Sequence, residues 1–242
     1  MIKQFAALLF LAAITSQAWG APKYGPQATR LYDAREHIQT NPAPDFWALT
    51  PYYTPQVTGS SCSEASVVMV LNALRADQKL TASDELINHK NVHSKVKLAF
   101  WKKNVGPQGG GVSLDQLETI ANKALKVYGF QNAKIEKHRP TKNDANNMIT
   151  LLKHLRENES TANNFIIANF LQSELTGDPE GAIGHIAPVA AFDSKTNHVL
   201  IFDPDRDYYE PYWVSAETLL KGMTTKDKTS GMGRGYIIIQ KN

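Results

Sequence analysis

The sequence predicts an α+β domain in which helices from the first half of the chain pack on an antiparallel sheet from the second half. Helix signals, meaning capping residues followed by apolar runs, lie between residues 61 and 158. Short apolar runs separated by turn residues follow from residue 165 onward. Neither an internal repeat nor a linker-like segment divides the chain, so residues 21–242 are predicted to form one domain.

The first predicted helix follows an irregular arm. Residues 21–58 are rich in proline and aromatic side chains and are expected to wind over the surface. The helix is predicted to begin at a capping box, with Ser61 as the N-cap residue and Glu64 reaching back to it. The following sequence up to Leu74 is apolar nearly all round, so this helix is expected to be buried.

The remaining elements follow the same kinds of signal. A second helix, in "SLDQLETIANKALKVYG", has a capping box of Ser113 and Gln116 at its start and Gly129 at its end. A third is predicted in "NDANNMITLLKHLREN". Strands are predicted in "FIIANFL", "HIAPVAAFD", "HVLIFDPD" and "GYIIIQK". The turn "DSKTN" makes the second and third strands a hairpin.

Residues 1–20 have the pattern of a secretory signal peptide. A lysine precedes an apolar run from Phe5 to Ile14, and the small residues Ala18 and Gly20 precede the expected cleavage site. A buried N-terminal helix is the alternative. The pattern predicts a protein that is exported to the periplasm or secreted. No later apolar run is long enough for a membrane span.

The charge balance and the cysteine content exclude some functions. The formal net charge is +3 and no long basic block is present, which argues against a nucleic-acid partner. The only cysteine, Cys62, cannot form an internal disulfide. It is either a reactive group or a small buried hydrophobe. In the first turn of a helix the macrodipole would stabilise its thiolate, which keeps the first interpretation open.

A base and an orienting carboxylate for Cys62 are predicted on the hairpin. His185 opens its first strand, and counting outward from the turn places it opposite position 203 or 205. Opposed residues in a hairpin lie close together, so an imidazole beside a carboxylate is expected. Asp203 is favoured over Asp205 because it continues the strand alternation more directly.

Gln56, six residues before the cysteine, completes the pattern. Its side-chain amide and the backbone N–H of Cys62 could hold the oxyanion of a tetrahedral intermediate, whereas the alternative is a solvated loop residue. The order Gln56, Cys62, His185, Asp203 is that of papain-like cysteine enzymes, and a papain-like fold is therefore expected.

Two other motifs are assigned no chemistry. "GPQGGG", residues 106–111, lacks the ending of a phosphate-binding loop and is interpreted as a mobile loop. His89 and His93 are four residues apart and could share a helix face as metal ligands. No third ligand is evident, so exposed surface histidines are favoured and no metal site is predicted.

Three ordered motifs resemble the catalytic domain of phytochelatin synthases, especially their short bacterial members. "QVTGSSCSEASVVMVLNAL" is similar to the family's Gln-x5-Cys-x2-Ala-Ser helix. "GHIAPVAAFD" resembles its Gly-His-x-Ser-Pro segment, and "VLIFDPDRDYYEPYWV" resembles the segment that carries its catalytic aspartate. The resemblance runs from about residue 46 onward, and Ser63 stands where the family usually has glycine.

The resemblance implies roles for nine residues. It implies that Cys62, His185 and Asp203 form a triad and that Gln56 is the oxyanion donor. It further implies that Asn169, Gly184, Asp227 and Arg234 hold a γ-glutamylcysteinyl group. Arg206 matches the arginine that follows the catalytic aspartate.

The activity implied by the resemblance is cleavage of the Cys–Gly bond of glutathione through a thioester on Cys62. Hydrolysis gives γ-glutamylcysteine, transfer to a second glutathione gives phytochelatin, and hydrolysis is favoured for a short bacterial form. No cofactor is expected to be required, although cadmium or zinc could act as activator or as a metal-thiolate substrate. The alternatives are a papain-like leader-peptide protease and a non-catalytic periplasmic thiol or metal binder. A homodimer is left open.

Overall fold

The computed structural model describes residues 22–241, so the predicted signal peptide at residues 1–20 lies outside the described residues. The helices are α1 (Glu36–Gln39), α2 (Pro44–Leu49), α3 (Cys62–Ala73), α4 (His89–Val96), α5 (Ala99–Asn104), α6 (Leu114–Val127), α7 (Ala145–Asn158), α8 (Gln172–Thr176) and α9 (Ala216–Met223). The strands are β1 (Ala28–Arg30), β2 (Lys134–His138), β3 (Asn164–Leu171), β4 (Gly184–Asp193), β5 (His198–Ile201), β6 (Tyr212–Ser215) and β7 (Gly235–Gln240).

The strands form a seven-stranded sheet in the order β1-β6-β5-β4-β3-β7-β2. Every neighbouring pair is antiparallel, which confirms the predicted α+β class. The expectation that all strands lie from residue 165 onward is wrong, because the two edge strands, β1 and β2, come earlier in the chain. Both escape prediction for a physical reason. β1 has three residues, and "KIEKH" in β2 is largely exposed and lacks an apolar run.

Helices cover both faces of the sheet. Alternate residues of β3 divide between two apolar clusters: Phe165 and Ile167 join one, whereas Ile166, Ala168 and Phe170 join the other. The first cluster contains buried residues of α3 and α6, and the second contains those of α7 and α9. The α9 helix comes from the second half of the chain, so the predicted division into helices first and strands after is only approximate.

Helix α3 is buried along its whole length, as its apolar sequence predicts. The predicted capping box at its start is wrong. The Ser61 hydroxyl accepts the backbone N–H groups of Val57 and Thr58, and so closes the turn before the helix. The Glu64 carboxylate binds two histidines of α4 instead of reaching back. Tertiary partners for a buried carboxylate outweigh the local cap, because an unpaired buried charge is costly.

The other local predictions vary in outcome. The capping box of Ser113 and Gln116 is present at the start of α6, and Gly129 adopts a left-handed φ of 88° after its end. The arm at residues 21–58 is not irregular throughout. It contributes β1, which pairs with β6, and α2, which packs against α3 and β4. No helix in residues 22–241 is long and apolar enough to cross a membrane.

Candidate active site

The cysteine and the histidine are brought together by the packing of α3 on β4. Cys62 is the first residue of α3, and His185 is the second residue of β4. One turn into the helix, the Ser66 hydroxyl donates to the carbonyl of Ile186, which follows the histidine. This bond fixes the start of the helix against the start of the strand. The Cys62 thiol lies close enough to the His185 ring to raise its pKa, and both residues line the same cavity.

His185 and Asp203 form a buried ion pair. The distance between His185 Nε2 and Asp203 Oδ1 is 2.8 Å, and the two side chains are 3% and 0% exposed. Because Nε2 faces the carboxylate, Nδ1 is the ring nitrogen left for the thiol of Cys62. The structure therefore places the imidazole between the thiol and the carboxylate.

Three further groups hold the carboxylate of Asp203. Its Oδ1 also accepts the backbone N–H of Asp205 at 2.9 Å. Its Oδ2 accepts the Gln172 amide at 2.7 Å and the Tyr212 hydroxyl at 3.2 Å. Asp203 lies beyond the end of β5, where the chain leaves the sheet. Of the two aspartates considered from sequence, Asp203 is the one whose side chain contacts His185. Asp205 contributes its backbone N–H, which donates to Asp203.

The two partners shift each other's pKa in opposite directions. Burial acts to lower the pKa of His185, but the charge and hydrogen bond of Asp203, and then the Cys62 thiol, raise that pKa well above its ordinary value. Burial acts to raise the pKa of Asp203, but His185, the Asp205 N–H and Gln172 lower it below its ordinary value. The pair is therefore an imidazolium and a carboxylate at neutral pH.

Gln56 is held beside this pair by its backbone. Its N–H donates at 2.8 Å to the carbonyl of Pro204, the residue after Asp203. Its side chain is half-buried, and the Oε1 atom is buried without a hydrogen-bond partner among the described residues. The loop from Gln56 to Cys62 thus starts at the aspartate segment and ends at the nucleophile helix.

Cys62 and His185 open into a cavity of about 580 Å³. Its lining includes four of the residues that the resemblance implicates in substrate binding: Asn169, Gly184, Asp227 and Arg234. The cavity is therefore the place where the predicted substrate residues and the thiol meet.

Arg234 is the buried cation of this cavity. Its side chain is 5% exposed, its Nη1 donates to Asn169 Oδ1 at 3.2 Å, and its Nη2 lies 3.9 Å from Asp227 Oδ1. Its Nε is buried without a partner among the described residues. Burial lowers the pKa of Arg234, while the charges of Asp227 and Cys62 oppose that shift. A guanidinium whose donors are only partly used can bind the carboxylate of a ligand by donating hydrogen bonds to it.

Gly184 makes room for that guanidinium. A Cβ at this position would lie 2.5 Å from Nη1 and 2.9 Å from Nη2 of Arg234. Any side chain here would therefore displace the arginine from its place beside Asn169.

The glycine loop at residues 106–111 is part of the site, which sequence reasoning missed. Gly109, Gly110 and Gly111 line the cavity together with Asn104. The loop is anchored, because the Ser60 hydroxyl donates to the Gly106 carbonyl at 2.8 Å. The mobility of the loop stays a prediction. Only the closeness of three glycines in sequence could have suggested that it forms a cavity wall.

Arg206 lies elsewhere. Its guanidinium stacks on the ring of Tyr53, 4.9 Å from the centroid, and it lines a separate groove with Tyr32 and Trp47. The Tyr53 hydroxyl donates to the carbonyl of Asp203. The structure thus connects Arg206 to the back of the triad and not to the cavity.

The predicted exposed state of His89 and His93 is wrong. Both rings are half-buried, and both contact the buried Glu64 carboxylate, at 2.7 Å and 2.9 Å. Ser63, at the position where glycine was expected, accepts the indole N–H of Trp101. Within residues 22–241, no group of three or more His, Cys, Asp and Glu side chains is arranged to hold a metal ion.

Comparison with known proteins gives one family. The model of the phytochelatin synthase family matches residues 28–236. The chain is 28% identical over 212 residues to glutathione gamma-glutamylcysteinyltransferase 3 of Lotus japonicus, covering 81% of this chain and 37% of that protein. It is 23% identical over 208 residues to the Arabidopsis thaliana enzyme 2, covering 85% and 42%. An 84-residue segment is 38% identical to the Schizosaccharomyces pombe enzyme, covering 34% and 19%. The chain thus spans less than half the length of these relatives.

Proposed function

Because the chain belongs to the phytochelatin synthase family, we propose that it cleaves the Cys–Gly bond of glutathione with Cys62 as nucleophile. The observation that carries the proposal is the cavity itself. It joins a thiol paired with a buried imidazolium–carboxylate dyad to a buried, partly unpartnered Arg234. We infer that the α+β domain has the papain-like form, since the order of Cys62, His185 and Asp203 and their pairing fit it.

The first half of the reaction follows from the arrangement of these groups. The Cys62 thiolate attacks the carbonyl carbon of the cysteinyl-glycine bond, and the resulting oxyanion is held by the Cys62 N–H and the Gln56 amide. The intermediate collapses as the C–N bond breaks, and His185 gives its proton to the departing glycine nitrogen. A γ-glutamylcysteinyl thioester remains on the enzyme, and glycine leaves.

The thioester is resolved by a nucleophile that His185, now neutral, deprotonates. Water gives γ-glutamylcysteine, whereas the amine of a second glutathione gives phytochelatin. We propose hydrolysis as the main activity. A requirement for cadmium or zinc, either as activator or as metal-thiolate substrate, stays a prediction, as does a homodimer.

The γ-glutamyl end explains the charges in the cavity. It carries an α-carboxylate and an α-ammonium on the same carbon. Arg234 offers donors to the carboxylate, and Asp227, whose Oδ1 lies 3.9 Å from Arg234, offers an acceptor to the ammonium. Asn169, bonded to Arg234, orients the guanidinium. An enzyme that cleaves a leader peptide would place an ordinary peptide segment there, for which a buried Arg–Asp pair has no evident use.

Export is a separate proposal, which depends on residues 1–20 alone. A periplasmic or secreted enzyme would meet glutathione outside the cytosol. Comparing the N-terminus of the purified native protein with Ala21 would test it.

Gln56→Ala should lower kcat for glutathione by about ten- to a thousandfold, the range for one oxyanion donor. The substitution removes the side-chain amide but keeps the backbone N–H that binds the Pro204 carbonyl. KM should change little, because the oxyanion exists only after attack. Steady-state kinetics of glycine release would measure both constants. An unchanged kcat would remove Gln56 from the oxyanion site.

Arg234→Ala should reduce kcat/KM for glutathione by at least about tenfold, since a charged hydrogen bond contributes about 1.5–3 kcal/mol. The variant should also lose its preference for glutathione over cysteinyl-glycine, which lacks the γ-glutamyl group. Arg206→Ala is the matched control: it removes an exposed arginine that does not line the cavity, and its loss should be smaller. Full activity and an unchanged preference in Arg234→Ala would favour the leader-peptidase alternative.

A further inference from the structure

Helix α3 carries a second acidic–basic cluster, two residues after Cys62. Glu64 is 3% exposed, and both of its oxygens are engaged by histidines of α4. His89 Nδ1 lies 2.7 Å from Oε1, and His93 Nε2 lies 2.9 Å from Oε2. The His93 ring also packs edge-on against Trp101. The mechanism uses none of these groups directly.

His89 faces an acceptor at each end of its ring. In addition to Glu64, it contacts the carbonyl of Pro55, 2.9 Å from Nε2. Burial acts to raise the pKa of Glu64, but the hydrogen bonds of the two histidines lower it below its ordinary value, so Glu64 is ionised. A carboxylate and a carbonyl both lack a proton to donate. Only the imidazolium form of His89, with an N–H at both nitrogens, can satisfy the two bonds at once.

His93 differs in this respect. Its Nε2 contacts Glu64, whereas its Nδ1 is buried without a partner among the described residues. One N–H therefore suffices for His93, and the neutral ring can supply it.

The carbonyl that His89 binds belongs to the peptide group between Pro55 and Gln56. The N–H of that same group donates to the Pro204 carbonyl at 2.8 Å. Both polar atoms of the peptide are thus held, one from α4 and the other from the segment after Asp203. Because a peptide group is planar, fixing both atoms fixes the plane of the peptide and with it the position of the Gln56 Cα, from which the side chain extends.

We propose that His89 is a positioning residue whose imidazolium links helix α3 to the Pro55–Gln56 peptide and so holds the oxyanion donor in register with Cys62. The inference rests on the proposed function, because it gives Gln56 the role of oxyanion donor. It adds that a residue outside the cavity controls the position of that donor.

The link makes turnover depend on the protonation of His89. The hydrogen bond to Glu64 raises the pKa of His89, and burial opposes the shift. The charged or titratable groups around it are Glu64 on α3 and His93 on its own helix, which shares that carboxylate. A raised pKa means that the link is intact at lower pH and is lost as the pH rises through that value. Loss of one N–H breaks one of the two bonds, so kcat should fall on the alkaline side.

His89→Gln tests the link, with His93→Gln as the matched control. A glutamine at position 89 has donors at one end only and cannot donate to both Glu64 and the Pro55 carbonyl. At position 93 only Glu64 needs a donor, so glutamine is sufficient there. We expect kcat for glutathione to fall about ten- to a hundredfold in His89→Gln, the cost of misplacing a catalytic group, with a much smaller loss in His93→Gln. Alkylation of Cys62 by iodoacetamide should keep its wild-type rate in both, because alkylation forms no oxyanion. Thermal unfolding of each variant reports its stability.

His89→Arg is the rescue variant, because arginine is a cation at every accessible pH and donates from several nitrogens. It should recover part of the lost kcat and move the alkaline decline to higher pH than in wild type. A merely structural role for His89 would not move that decline. The inference is overturned by an unchanged kcat in His89→Gln, by equal losses in the two glutamine variants, or by a parallel loss of alkylation.

Hydrolysis of p-nitrophenyl acetate, measured in parallel, separates this inference from the proposed function. The ester forms an oxyanion on Cys62 but needs no γ-glutamyl site. A wild-type protein that cleaves the ester and not glutathione would refute the proposed substrate. The ester kinetics of His89→Gln would then still decide the role of His89.

Discussion

Cys62→Ser should abolish the turnover of glutathione while leaving the fold intact. The substitution exchanges one sulfur atom for oxygen in a side chain that is 7% exposed, so packing around the start of α3 should hardly change. The thiolate is the nucleophilic form of cysteine, whereas a serine hydroxyl beside an imidazole stays protonated at neutral pH. The thiolate–imidazolium pair that starts the reaction would therefore not form.

The expected loss is at least about a thousandfold in kcat, since the nucleophile and its base act as a unit. Mass-spectrometric measurement of glycine and γ-glutamylcysteine would give the rate, and circular dichroism with thermal unfolding would check the fold. Turnover near the wild-type rate in Cys62→Ser would end the thiol mechanism.

Asp203→Asn should lower kcat by about a thousand- to ten-thousandfold, the cost of losing the correct tautomer in a triad. Asp203 accepts four hydrogen bonds, from His185, the Asp205 N–H, Gln172 and Tyr212. Asparagine has one acceptor oxygen and places an N–H₂ group among these donors. If that N–H₂ group faces Nε2 of His185, the proton of the neutral ring moves to Nδ1. Nδ1 is the nitrogen that must accept a proton from the thiol.

Asp205→Asn is the matched control for that experiment. Its backbone N–H, which binds Asp203, is retained, and its side chain acts on His185 only through charge. We expect a loss far smaller than in Asp203→Asn. The opposite order, measured as kcat for both variants at one pH, would assign the orienting role to Asp205.

The elements that were predictable from sequence are those whose signals are local. Strands β3, β4 and β7 are continuous apolar runs, and α6 has its own cap and stop residues. Edge strands β1 and β2 bury little and leave no such signal. The hairpin count placed His185 near residues 203 and 205, but a bulge between Val189 and Ala191 and the early end of β5 decide the contact. Neither is visible in the sequence.

Site residues outside the thiol chemistry were harder to find. Glu64 has a capping-box spacing, and only the tertiary approach of α4 turns it toward His89 and His93. Residues 109–111 give no specific signal in the sequence, because a glycine run without a phosphate-loop ending is compatible with any loop. Their part in the cavity depends on the anchoring of a loop by residues about 50 positions away in sequence.

Trapping a γ-glutamylcysteinyl thioester on Cys62 would test the proposed mechanism directly. Wild-type protein mixed with excess glutathione, quenched in acid and digested, should give a peptide that contains Cys62 and carries γ-glutamylcysteine without glycine. The adduct should resist a phosphine reductant and yield to hydroxylamine. Free glycine should equal the sum of the adduct and the acyl product already released. A Cys62 peptide that carries intact glutathione and is released by reductant would be a mixed disulfide. That result, or an unmodified Cys62 while product accumulates, would contradict the mechanism.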